Sequence, residues 1–244
     1  MDNLKLVVEY DGTAYHGWQV QPGLPTIQGV LQEAVKRVTG EEVQITGAGR
    51  TDAGVHALGQ VANFWTGKGM SSNAWEGALN SLLPPDVVVT EVEPALEGFD
   101  ARRSAKAKTY RYSILTGRSP SALERYLLLH IRDRLDLASM AEAAAYLIGQ
   151  YDFSAFRAAD SDQTNAVRNV YEARFVTERD RVHFIITGSG FLKHMIRIVV
   201  GTLLDVGKGR VSPADFRGTL RSRNRQHAGR TAPPHGLCLM HVSY

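Results

Sequence analysis

Cysteine is nearly missing from this 244-residue chain. Cys238 stands alone, so an internal disulfide is excluded, as is a zinc site built from cysteine thiolates. Long apolar runs are missing too, which argues against a membrane span. The opening Met1-Asp-Asn-Leu-Lys-Leu6 brings charge at once and does not read as a signal peptide, so a cytoplasmic protein is the expectation. Low-complexity tracts and short internal repeats are absent, and the composition is that of a globular protein with core to spare. Cofactor motifs are missing as well. Gly47-x-Gly49 follows the plausible strand Val43-Gln-Ile-Thr46 as a dinucleotide fingerprint would, but the third glycine position is Asp52, whose charge would repel a pyrophosphate. A P-loop fails because no Gly-Lys-Ser/Thr closes the run. No cofactor is expected.

The last absence is local. Between Asp100 and Glu124 there is no acid, while Arg102, Arg103, Lys106, Lys108, Arg111 and Arg118 fall in that gap. After Asp215 the chain has no acid at all, and Arg217, Arg221, Arg223, Arg225 and Arg230 follow, with His227 among them. The net charge of +3 is too small to argue for nucleic acid by itself. Two unopposed basic blocks in a nearly neutral chain do point to a polyanion such as RNA.

What is present reads as mixed strands and helices. Leu4 to Tyr10 alternates as a strand with Leu4, Leu6, Val8 and Tyr10 on one face. Thr26 caps a predicted helix whose Ile27, Val30, Leu31, Ala34, Val35 and Val38 form a stripe ending at Gly40. Further helices are predicted from Ser72 to Leu82, stopped by Pro84-Pro85, from Asp136 to Gly149, and over Phe191 to Val206. The helix from Asp136 is expected to bury Leu137, Met140, Ala141, Ala144 and Ile148. Val87 to Thr90 and Thr109 to Leu115 read as strands, and Val170 to Val176 with Val182 to Thr187 as a hairpin. Strict alternation is absent, so the class is α+β, in two halves: residues 1–105 and 106–244.

Chemistry concentrates in Gly47-Ala-Gly-Arg-Thr-Asp-Ala-Gly-Val-His56, a loop between strands that brings one carboxylate, Asp52, into a glycine-rich turn. Arg50 supplies a cation for a phosphate or a counter-ion for Asp52. His56 offers a metal ligand or a His–Asp pair with Asp52, but no third ligand stands at a recognisable spacing, so no metal is expected. Tyr110 and Tyr112 share a strand face inside a basic block, which suits either a core or stacking on exposed bases. Arg197 lies in a mostly apolar helix, where a guanidinium needs a carboxylate partner or a route to water. An RNA-modifying enzyme using Asp52 and an RNA-binding module with a merely structural loop both fit these residues.

Gly49-Arg-Thr-Asp-Ala-Gly-Val-His-Ala57 and Lys108-Thr-Tyr-Arg-Tyr112 resemble the catalytic and aromatic motifs of the tRNA pseudouridine synthase A family. Phe99-Asp-Ala-Arg102, Asp152-Phe-Ser-Ala-Phe156, Phe191-Leu-Lys-His-Met-Ile-Arg197 and Pro233-Pro-His-Gly-Leu237 resemble further family blocks, in order, across essentially the whole chain. The resemblance implies isomerisation of uridines at positions 38 to 40 in the tRNA anticodon arm by a homodimer. It also implies a fold of two similar α+β halves around a central, mainly antiparallel sheet. Within it, Asp52 is the catalytic carboxylate, Tyr110 stacks on the target base and Arg197 pairs with Asp52. Arg103 stands where the family often has Phe, and Arg230 where it often has Pro, which leaves substrate breadth open and not the reaction type.

Overall fold

The computed structural model describes residues 1–161 and 164–244. The chain forms two compact units, Met1–Lys106 together with Cys238–Tyr244, and Ala107–Leu237. The first unit contains β1 (Asp2–Tyr10), α1 (Ile27–Thr39), β2 (Thr46–Gly47), β3 (His56–Thr66), α2 (Ser72–Asn80) and β4 (Val87–Pro94). The second contains β5 (Ala107–Thr116), β6 (Leu129–Ile131), α3 (Leu137–Ala145), β7 (Gly149–Asp152), β8 (Val167–Glu178), β9 (Arg181–Gly188), α4 (Met195–Gly207) and α5 (Pro213–Ser222). The last strand, β10 (Leu237–Ser243), returns all but its first residue to the first unit. A division at residue 105 leaves that strand with the second half, because sequence order carries no sign that the chain doubles back.

In the first unit the strand order is β4-β1-β3-β10. The β4, β1 and β3 pairs are antiparallel and β10 runs parallel to β3, with Cys238 opposite His56 and Leu239 opposite Ala57. The alternation in β1 puts Leu4, Leu6, Val8 and Tyr10 inside. Helix α1 forms where its stripe predicts, with Thr26 accepting from the Gly29 N–H at one end and Gly40 as left-handed cap at the other. Ile27, Leu31, Ala34 and Val35 are buried, and Val30 and Val38 are half-buried at the edge of the stripe. Phe64 of β3 meets Trp75 of α2 edge-on at 5.6 Å. Asn63 donates to Asn3 and accepts from the Ala101 N–H, while Asn3 donates to the Phe99 carbonyl, so a buried amide chain ties Phe99-Asp-Ala101 to β1 and β3.

The second unit carries an antiparallel sheet in the order β5-β9-β8-β7, with β6 parallel to β5. The β8–β9 hairpin turns at Arg179-Asp180, with Arg179 at φ +57°. Helices α3, α4 and α5 pack on one another, and α3 also touches β8.

Several elements depart from expectation. Only Thr46-Gly47 of the run from Val43 pairs as a strand. Helix α3 stops at Ala145, so Ala141 and Ile148 face outward and Ala143 and Leu147 are buried in their place. Gly149, at φ +119°, then opens β7. Helix α4 starts at Met195, after a turn that the Met195 N–H closes on the Leu192 carbonyl. Strand β4 runs on to Pro94 because β1 pairs with it over that length.

Candidate active site

Asp52 lies between β2 and β3 in a loop gripped along its length by the first unit. The Gln60 side-chain amide donates to the Gly49 carbonyl at 2.8 Å. The Thr51 hydroxyl meets the Tyr10 hydroxyl at 2.8 Å, and the Thr51 carbonyl accepts from the Trp18 N–H at 3.1 Å. Past the aspartate, the Gly54 N–H reaches the Tyr15 carbonyl at 3.3 Å and the Val55 N–H closes a turn on the Asp52 carbonyl at 3.2 Å. Gly17, at φ +87°, makes the close approach possible: a Cβ there would stand 2.5 Å from the Thr51 carbonyl oxygen and 3.1 Å from the Asp52 carbonyl carbon. The carboxylate is thus carried on a fixed backbone with a half-buried side chain.

Arg50 projects differently. It is exposed and has no ion pair among the described residues, so it does not serve as counter-ion to Asp52 and offers its charge to solvent or a ligand. His56 is buried at the start of β3, with Nδ1 accepting from the Gly12 N–H and 3.1 Å from a carboxylate oxygen of Asp11. The aspartate beside His56 is Asp11, from the turn after β1. Burial raises the Asp11 pKa, but hydrogen bonds from Thr13 and the neighbouring His56 outweigh it and hold the carboxyl below its ordinary value. Among the described residues no group of three or more His, Cys, Asp or Glu is placed to hold a metal ion.

In the second unit Tyr110 and Tyr112 share the inner face of β5. Tyr110 is 7 % exposed and meets the edge of Phe191 at 5.4 Å. Tyr112 is fully buried and its hydroxyl donates to the Pro233 carbonyl at 2.9 Å. Burial pushes its phenol pKa up, against the opposing pull of the Arg197 charge. Arg197, in the first turn of α4, is half-buried: its Nε donates to the Ala232 carbonyl at 2.9 Å while the Ala232 N–H donates back to the Arg197 carbonyl at 3.0 Å. The tail that supplies Ala232 lies directly along α4. Gly229 N–H reaches the Thr202 hydroxyl, and a Cβ on Gly201 would collide with the Arg230 carbonyl.

A family model described as tRNA pseudouridine synthase matches residues 6–102 and 143–244. The chain belongs to that family. It is 47% identical to the tRNA pseudouridine synthase A of Acetivibrio thermocellus over 244 residues, all of both chains. Against the enzyme of the same name from Citrifermentans bemidjiense it is 48% identical over 246 residues, covering all of this chain and 98% of that one. Asp52 and Arg197 fall within the residues matched by the tRNA pseudouridine synthase model, and Tyr110 falls in the interval between its two matched parts.

The glycine-rich loop stands out in the sequence, but the residues that hold it stand out less. Tyr10, Tyr15, Gly17 and Trp18 supply four of its fastenings, and the run Tyr10-Asp-Gly-Thr-Ala-Tyr-His-Gly-Trp18 carried a signal: two glycines and three large aromatics within nine positions, too dense for a simple connection. Gln60 gave none, since an amide in a strand of a globular protein is ordinary.

Proposed function

We propose that this chain converts uridine to pseudouridine at positions 38 to 40 in the anticodon stem-loop of tRNA, with Asp52 as the catalytic carboxylate. The observation that carries the reading is Asp52 itself, fixed by its flanking backbone within a chain of the tRNA pseudouridine synthase family. The reaction breaks the bond from N1 to C1′, turns the uracil, and joins C5 to C1′; C5 gives up its proton and N1 gains one, so substrate and product hold the same atoms. Neither a redox partner nor a group donor enters that balance.

A paired base cannot turn inside a duplex, so the nucleotide leaves its stack at a cost of a few kcal/mol. Tyr110 takes up the released base and repays part of that cost by stacking. Arg50, exposed two residues before Asp52, engages the RNA, and Arg197 serves substrate binding from α4. The basic blocks supply affinity through phosphates. The protein works as a homodimer in the cytoplasm, as its sequence resemblance implies, and sedimentation of the purified chain tests the first part.

Asp52→Asn decides the central point. Pseudouridine formation on anticodon-arm uridines is expected to vanish, with tRNA affinity changed by less than about tenfold because phosphates dominate binding. Appreciable turnover by the purified variant would remove Asp52 from the chemistry.

A further inference from the structure

Thr51 is held from two sides, and the two grips differ in kind. Its carbonyl is taken by the Trp18 backbone, which any residue at position 18 other than proline would supply. Its hydroxyl is taken by the Tyr10 hydroxyl at 2.8 Å, a side chain reaching across 41 positions from the inner face of β1. Both residues are buried, Tyr10 at 2% and Thr51 at 7% exposure, so water does not compete for this bond. Burial raises the Tyr10 phenol far above its ordinary value, and the hydroxyl keeps its proton. On the other side of Arg50, Gly49 is tethered by Gln60, so the two side-chain bonds bracket the stretch of backbone that leads into Asp52.

Tyr10 has more hydroxyl than its fold role needs. A phenylalanine would fill the same space on the inner face of β1, where the Tyr10 ring already meets Trp18 at 6.4 Å. What the oxygen adds is a fixed direction for Thr51, and with it for the next residue. Resting on the reading of Asp52 as the catalytic carboxylate, we infer that Tyr10 is a positioning residue for the isomerisation. Through Thr51 Oγ1 it sets where the Asp52 carboxylate stands, without touching substrate. A site held within about half an ångström of its productive geometry loses rate before it loses affinity.

The test is a double-variant cycle on the full chain, read by single-turnover pseudouridine formation at saturating tRNA and by tRNA affinity. Tyr10→Phe is expected to slow the single-turnover rate by about five- to thirtyfold, the range for one orphaned buried hydroxyl acting on the barrier, with tRNA affinity within about twofold. Thr51→Val should lose a similar factor. Tyr10→Phe with Thr51→Val should be no slower than the worse single variant, because both changes break the Tyr10–Thr51 bond and the contact of the Tyr10 hydroxyl with Gln60 is already lost in Tyr10→Phe. Thr51→Ser keeps the oxygen and should recover most of the rate lost in Thr51→Val. A Tyr10→Phe rate within about twofold of the parent, additive losses in the pair, or a loss confined to tRNA affinity would each overturn the inference. Asp52→Asn measured alongside separates the two failures: an active Asp52→Asn sinks the reading of the site. An inactive Asp52→Asn with an unimpaired Tyr10→Phe sinks only the role of Tyr10.

Discussion

Ala232 holds Arg197 twice: the Arg197 Nε donates to the Ala232 carbonyl and the Ala232 N–H donates to the Arg197 carbonyl, which puts the guanidinium on a defined axis. A lysine has no Nε–H branch to hold the Ala232 carbonyl and then present a planar fork. Arg197→Lys should therefore fall about a hundredfold in kcat while unfolding within a few degrees of the parent, and Arg197→Met should be no better. Full activity of the lysine variant would show that charge alone suffices. Tyr110 poses a different question, since its ring is packed and carries a hydroxyl that stacking alone does not need. Tyr110→Phe keeps the edge contact with Phe191, whereas Tyr110→Ala adds a cavity costing about 3–5 kcal/mol, so only the phenylalanine variant isolates the hydroxyl. Single-turnover rates should rank parent, Tyr110→Phe, Tyr110→Ala; equal rates for the two variants would leave stacking with no role. At this scale the sequence shows residues whose type is odd for their surroundings: an acid in a glycine loop, a cation in an apolar helix. It hides residues whose type is ordinary. Tyr10 reads as one more inward ring of β1, and nothing near it in sequence names Thr51 as its partner.

Elements were legible where both ends carry a chemical mark. Helix α1 has Thr26 before it and Gly40 after it, and the stripe between them leaves one solution. Helix α3 has only its start marked, by Asp136, whose carboxylate accepts from Ala138 and Ser139. Its alanine-rich end offers no stripe by which to set the phase, so the buried face comes out rotated. The start of α4 is hidden for another reason: His194 takes a left-handed conformation at φ +61°, which no residue pattern announces for a histidine. The contact of α4 with the tail makes the sharpest prediction at this scale. Gly201→Ala places a methyl against the Arg230 carbonyl, so residues 229–232 must shift or the helix must yield, at a cost of about 1–3 kcal/mol. Since Ala232 holds Arg197, kcat should drop along with thermal stability, although position 201 lies a full turn beyond Arg197. Unaltered melting and activity would mean that the tail moves freely away from α4.

Across the whole molecule, charge separates from shape. Arg102, Arg103 and Lys106 are exposed on a segment that the Asn3–Asn63 amide chain and the Tyr244 hydroxyl bond to Ala101 hold against the first unit. Neutralising the three together should weaken tRNA binding and flatten the slope of log affinity against log salt by about one to three units. The tail block is less uniform. Arg225 directs its guanidinium to the Ala228 carbonyl and the Thr231 hydroxyl, and Arg223, though exposed, lies 3.5 Å from the Asp152 carboxylate, whereas Arg221, Arg230 and Arg217, the last over the Tyr146 ring, are exposed and in no ion pair among the described residues. Neutralising Arg217, Arg221 and Arg230 should accordingly flatten the slope more than neutralising Arg221, Arg223 and Arg225. A salt series with all three triple variants checks the order, and unchanged slopes would reduce both blocks to solvated surface.

The return of β10 to the first unit sets a clock on biosynthesis. Everything else in that unit has been made by Lys106, yet the strand that flanks His56 and Ala57, at the exit of the Asp52 loop, follows the 131 residues of Ala107–Leu237. At about 5–20 residues per second the ribosome needs roughly 7–26 s to cover that distance, far longer than hairpins and helices take to form. During that interval β3 is paired with β1 on one side while its other side, at the exit of the Asp52 loop, stands without its last neighbour. The first unit is thus completed only after the second has been made, when β10 takes its place beside β3.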